Sequence, residues 1–248
     1  MIFPNALSFL WDEKIYMQFF KYVFMILLAF GGITDLLSAD QTAGVTKNTA
    51  CTTMNTKYQI IYINGPSSSG KTTLAQLLQQ ELDPPFLHIG IDRVIGMMPD
   101  KLNDWEGGPA PLGFSWKNST DETGHPVHEI QLGPFAKKMS DTLKEIVITL
   151  ARLDHYIIID DVAFGKQDVD KWRLALKGYN VLWIGIHTPL PVLEQREKQR
   201  GNRMIGSARA QYYQVHKGVI YDLEFDTSKD SSEKIVQAIK EKLCSKNR

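Results

Sequence analysis

The chain of 248 residues has little cysteine, no excess of charge of either sign and no long apolar run. Its two cysteines, Cys51 and Cys244, are too few for a disulfide framework. The 28 Lys and Arg balance the 28 Asp and Glu, so the formal net charge is zero. The basic surplus typical of a dedicated nucleic-acid binder is missing, and no nucleic-acid partner is expected. No fixed-period self-similarity occurs, which excludes a solenoid or propeller. At 43% hydrophobic and 23% charged residues the composition is that of a globular domain, not a disordered chain.

Residues 1–53 stand apart. The stretch 22–34 (YVFMILLAFGGIT) is uncharged between Lys21 and Asp35. It falls short of the roughly 20 residues that span a bilayer as a helix. Residues 17–39 instead have a basic start, an apolar middle and a small residue, Ala39, at a plausible cut. Residues 40–57 are polar and Thr-rich, read as a linker, and contain Met54. Three expectations compete for this hydrophobic extension. It is a signal or membrane-proximal anchor, a helix docked on the domain, or an over-extended start ahead of a working protein beginning at Met54. Membrane contact is expected only if residues 17–39 are retained. The expected domain is 54–248.

Residues 58–64 (YQIIYIN) form a short β-branched run, as a buried parallel strand requires. Gly65, Pro66, Ser67, Ser68, Ser69, Gly70, Lys71, Thr72 and Thr73 follow directly and fit G-x-x-x-x-G-K-[ST]. Behind them Leu74, Leu77, Leu78 and Leu82 recur at helical spacing. Strand, glycine-rich loop and helix in this order make a P-loop. Glycines permit close backbone approach, and successive N–H groups with the helix N-terminus then cradle phosphates. Lys71 is placed to reach the β- and γ-phosphates of a nucleotide, and the Thr72 hydroxyl to ligate Mg²⁺.

Residues 86–91 (FLHIGI) form a second apolar run ending at Asp92. An acid at the carboxyl end of a parallel strand faces the ligand crevice of an open sheet. From position alone Asp92 reads equally as the N-cap of the following turn. Residues 99–132 hold many Gly and Pro together with Trp105, Phe114, Trp116 and His125, and read either as an irregular, partly ordered insertion shaping a pocket or as a plain surface loop whose aromatics cover the core. His125 and His128 lack the further ligands that a zinc site needs. Residues 134–153 carry one apolar helical face. Residues 156–160 (YIIID) form an apolar strand ending in Asp160-Asp161, where a P-loop protein keeps a magnesium-binding carboxylate. Adjacent strand residues point to opposite sides, so only one of the two is expected to serve the metal, either one by its position, with Asp160 taken as the candidate.

Residues 180–186 form another strand. Residues 190–206 carry Arg196, Arg200 and Arg203 around Gly201, either as a solvated charged face or as a lid whose guanidinium groups close on the phosphates. A last strand (220–225) and helix (233–243) complete about five apolar strands alternating with helices. The expected fold is α/β, a P-loop NTPase with a five-stranded parallel sheet covered on both faces, in three α/β/α layers. No guanine-specificity motif N-K-x-D occurs, so a nucleotide switch lacks support.

Residues 54–243 resemble the chloramphenicol phosphotransferase family of small P-loop kinases. The resemblance rests on GPSSSGKTT, IGIDRVIGMMP, IIIDDV, VLWIGI, REKQRGNR and VHKGVIYDLEFDT, in family order and spacing. It implies ATP and Mg²⁺ as cofactors and a hydroxylated small molecule as partner, with the antibiotic 3-O-phosphorylated. It also implies Asp92 as general base, with Arg200 and Arg203 stabilising the transferred phosphoryl. The segment 104–128 departs most from the family pattern, and the acceptor should lie there. The competing expectation is a metabolic kinase of shikimate or nucleoside type. A kinase consuming ATP is expected in the cytoplasm.

Overall fold

Strand β1 (Ile60–Asn64) is buried at every position because it is the centre of a five-stranded parallel sheet. The structure, a computed structural model, describes residues 56–201 and 203–244. The signal-like segment and the linker up to residue 55, Met54 included, lie outside the described residues. Among the described residues no helix is long and apolar enough to cross a membrane.

The chain leaves β1 through the glycine-rich loop into α1 (Lys71–Glu81), then forms β2 (Phe86–Gly90) and the short α2 (Ile91–Ile95). After a hairpin, β3 (Phe114–Thr120) and β4 (Pro126–Leu132), come α3 (Pro134–Arg152), β5 (Tyr156–Asp161) and α4 (Gly165–Ala175). The remaining elements are β6 (Val181–His187), α5 (Leu190–Arg200), α6 (Ser207–Tyr212), β7 (Leu223–Asp226) and α7 (Ser232–Cys244).

The sheet order is β2-β5-β1-β6-β7, every neighbouring pair parallel. Alternation along β1 builds the two faces. Ile61 and Ile63 pack with Leu74 and Leu78 of α1 and Ile235 and Ile239 of α7. Ile60 and Tyr62 pack on the other side with Leu143 and Val147 of α3 and Trp172 of α4. This is why the strands read as unbroken apolar runs: both faces are covered. Burying each of these isoleucines fully contributes about 1.5–3 kcal/mol.

The chain passes from β1 outward to β2, returns to β5 between them, and then crosses to β6 on the opposite side of β1. The order therefore reverses beside the carboxyl end of β1, the place where open α/β sheets bind ligands.

The expected five parallel strands and three layers are present. One expectation is corrected. Residues 99–132 are not irregular throughout, because Phe114–Thr120 pairs antiparallel with Pro126–Leu132, from Phe114↔Leu132 to Thr120↔Pro126. Most of the glycines and prolines precede this hairpin, while Gly124 lies in its turn and Pro126 opens β4. Its turn is held by Asp121, whose Oδ1 accepts from the N–H groups of Thr123 and His125 and from the Thr123 hydroxyl.

Candidate active site

The glycine-rich loop joins β1 to α1 in a geometry that few residues tolerate. A Cβ on Gly65 would lie 2.6 Å from the Ile186 carbonyl of β6. Gly70, at the N-terminus of α1, has φ of 96°, in the left-handed region that glycine occupies without strain. Ser68 is also left-handed, with φ of 65°, an uncommon conformation for a residue with a Cβ. The Pro66 carbonyl accepts from Ser69 N–H and from Lys71 Nζ at 2.9 Å, so the lysine folds over its own loop. The hydroxyls of Ser68 and Ser69 are buried without a hydrogen-bond partner. Such orphans are costly unless a polar ligand satisfies them, and they fit a bound polyphosphate.

Lys71 is 6% exposed, and its Nζ lies 4.0 Å from Asp160 Oδ1. Burial pulls its pKa down, against the attraction of Asp160 and Asp161. Thr72 Oγ1 donates to Asp160 Oδ2 at 2.6 Å, and His88 Nε2 lies 3.6 Å from the same oxygen. Burial alone would raise the Asp160 pKa, but His88, Lys71 and Thr72 outweigh it and hold the carboxyl below its ordinary range. Asp161 differs. Its carboxylate accepts from Tyr62 Oη, Trp172 Nε1 and its neighbour's backbone N–H at Val162. Burial raises its pKa despite these donors.

Thr72 and Asp160 thus bring a hydroxyl and a carboxylate together at the foot of the loop. Hard oxygen donors of this kind suit Mg²⁺, which takes its other ligands from water and phosphate. Among the described residues no group of three or more His, Cys, Asp or Glu could hold a metal alone. The donor set fits a cation that arrives with a nucleotide.

Asp92 does not cap a helix. Gly90 holds the N-cap position of α2, and Asp92 lies in its first turn. The Asp92 side chain is 68% exposed, and its Oδ2 accepts from an Arg203 guanidinium nitrogen at 3.0 Å. Helix α5 ends at Gly201, left-handed with φ of 66°, between the two arginines that flank it.

A cavity of about 1060 Å³ brings these groups together. Lys71, Thr72, Asp92, Asp160, Arg200 and Arg203 line one part of it. Trp105, Phe114, Trp116 and Ile130 line another, with Trp105 and Phe114 stacked at 6.0 Å. The Trp116 Nε1–H is buried there without a partner. A second cavity of about 380 Å³ shares Ser68, Gly70 and Arg200 with the first and also holds Thr73 and Arg196. Arg196 does not line the larger cavity with Arg200 and Arg203: its guanidinium donates to the Thr227 hydroxyl and carbonyl. Gly65 and Pro66 shape the loop from behind, and Ser67 lines the larger cavity.

Two site residues escaped the sequence motifs. His88 is one residue in an apolar strand, and nothing local marks it. Gln211 of α6 accepts from Ser67 N–H through Oε1 at 2.6 Å, a contact across 144 residues that no spacing reveals.

The chain is similar to known proteins. Two curated proteins from Mycobacterium tuberculosis strains CDC 1551 and H37Rv, both named "Putative O-phosphotransferase", are each 26% identical over 170 residues, spanning 68% of this chain and 75% of theirs. A crystal structure described as a "putative kinase" from Chloroflexus aurantiacus superposes with a TM-score of 0.50 at 16% identity, covering 76% of this chain and 97% of its own. That likeness concerns the fold. The pattern of the family described as "Chloramphenicol phosphotransferase-like protein" matches residues 58–244. The chain belongs to the chloramphenicol phosphotransferase-like family, and it is a kinase built on a P-loop.

Proposed function

We propose that the protein transfers the γ-phosphoryl of ATP, with Mg²⁺, to a hydroxyl of a small molecule held against the aromatic wall of the larger cavity. Chloramphenicol, phosphorylated at its 3-hydroxyl, or a related antibiotic is the proposed acceptor. The observation that carries this reading is the convergence of Lys71, Thr72, Asp160, Asp92 and Arg203 on one cavity.

Each residue has a separable task. Lys71 and the loop N–H groups neutralise the β- and γ-phosphates. Thr72 and Asp160 would hold Mg²⁺, which offsets charge on the bridging oxygens. Asp92 orients the acceptor hydroxyl and takes its proton as the new oxygen–phosphorus bond forms. The bond from the γ-phosphorus to the bridging oxygen breaks, and ADP leaves. Arg200 and Arg203 neutralise the oxygens of the phosphoryl in flight. The transition state is loose, so placement and charge matter more than the strength of the base.

The cytoplasm, where ATP is abundant, is the proposed location. With no excess of basic residues, no nucleic-acid partner is proposed. Incubation with ATP, Mg²⁺ and chloramphenicol, then mass analysis of the alcohol, tests the reading. One added phosphate supports it. Transfer to metabolic alcohols but not to chloramphenicol would replace the antibiotic with a metabolic acceptor.

A further inference from the structure

Glu197 is a carboxylate buried to 1% exposure on α5, and its partners are backbone and hydroxyl groups. Its Oε2 accepts from Gly206 N–H at 2.7 Å. Its Oε1 accepts from the Ser207 hydroxyl at 2.7 Å and Ala208 N–H at 2.8 Å. A carboxylate withdrawn from water is tolerated only when it is hydrogen-bonded, and these three donors occupy three of its roughly four lone-pair sites. The result is a clasp. It fastens the start of α6 to α5, nine residues back along the chain. Arg200, Gly201 and Arg203 lie inside the loop so closed.

The far end of the clasp is anchored in turn. On α6, Gln211 meets the phosphate loop at Ser67. Arg209 donates to Glu194 of α5 and to Asp121 in the turn of the β3–β4 hairpin, each at 2.7 Å. The Ile205 carbonyl lies 2.7 Å from His128 Nδ1 on β4. One frame therefore touches the phosphate loop, the acceptor-side hairpin and both ends of the arginine loop.

We propose that Glu197 is a positioning residue: by clasping Gly206, Ser207 and Ala208 it sets where Arg200 and Arg203 meet the transferred phosphoryl. This rests on the kinase reading above. Glu197 touches neither nucleotide nor acceptor and acts through the two arginines.

The test is Glu197→Gln, which keeps volume and one accepting oxygen. The new amide nitrogen then faces the Gly206 N–H, donor against donor, and the loop end is released. Phosphoryl transfer should fall roughly 10²-fold, the scale of a displacement of about 1 Å, with the KM for ATP unchanged. In an Arg200→Ala/Arg203→Ala background the same change should cost nothing further, because the groups it positions are gone. An equal loss in both backgrounds, or wild-type turnover in Glu197→Gln, would overturn the proposal.

Hydrogen exchange read on the same proteins separates this idea from the kinase reading. The Gly206 and Ala208 amides should exchange slowly in the wild type and quickly in Glu197→Gln. Absence of phosphoryl transfer by the wild type sinks the kinase reading, whereas unchanged exchange at these amides sinks the clasp. If Glu197→Gln fails to fold, Glu197→Asp, which keeps the charge but shortens the reach, is read by the same two measurements.

Discussion

Arg203 donates to Asp92 across 3.0 Å, although 111 residues separate them in the chain. The pair joins the arginine loop to the carboxylate at the tip of β2. Both side chains are more than a third exposed, and ion pairs of this kind are worth about 0–1 kcal/mol. So weak a contact holds the two groups close without locking them. In the proposed reaction an acceptor hydroxyl displaces the guanidinium from Asp92 and leaves it beside the phosphoryl.

Asp92→Asn removes the proton acceptor and keeps the shape. ATP binding should be spared, while turnover should fall by about 10²–10⁴-fold, the range for a positioned general base. Nucleotide affinity by titration and initial rates with saturating acceptor measure the two separately. Near-normal turnover would reduce Asp92 to an orienting group.

Asp160 and Asp161 should behave oppositely. Asp160→Asn should raise the Mg²⁺ concentration needed for half-maximal activity, with little effect on folding. Asp161→Asn turns an amide nitrogen toward donors that now meet a carboxylate, the Tyr62 hydroxyl and the Trp172 indole. It should cost about 1–3 kcal/mol of stability and leave the Mg²⁺ requirement unchanged. Thermal melts and Mg²⁺ titrations of both variants decide the assignment.

The hairpin anchor carries a pH signature. Burial would raise the Asp121 pKa, but Arg209, Thr123 and the His125 backbone hold it well below the usual carboxylate range. A depressed folded value adds stability that is present above the unfolded pKa, about 3.9, and is lost as pH falls through the folded value. The stability added by the Arg209–Asp121 contact should therefore hold through mildly acid conditions and begin to decline below about pH 4, while the contact itself persists to well below that. Asp121→Asn should remove this acid-range dependence, as read from melting temperature against pH, and should raise the KM for the acceptor more than that for ATP.

Much of this was legible in the chain itself, for physical reasons. The phosphate loop is local: its glycines, lysine and threonine act on backbone within a few residues, so GPSSSGKTT betrays it. Buried parallel strands announce themselves as apolar runs, and four ended within a residue or two of where YQIIYIN, FLHIGI, YIIID and NVLWIGI place them. The hairpin was hidden because the glycines and prolines before it, with Gly124 and Pro126 inside it, masked the strand residues. Glu197 and Gln211 were hidden for another reason. A charged residue in REKQRGNR reads as solvated surface, and only the arrival of Gly206, Ser207 and Ala208 makes its burial possible. Likewise Arg196 reads like its neighbours, yet Thr227 holds it away from Arg203 and Asp92.

The most direct measurement follows the γ-phosphate. ATP labelled at that position is incubated with Mg²⁺, chloramphenicol or a panel of other alcohols, and the wild-type protein or Lys71→Ala. The label should appear on an alcohol oxygen with the wild type and on none with Lys71→Ala, although that variant still folds. A wild-type protein that binds ATP yet leaves the label on the nucleotide, or releases it only to water, would contradict the account.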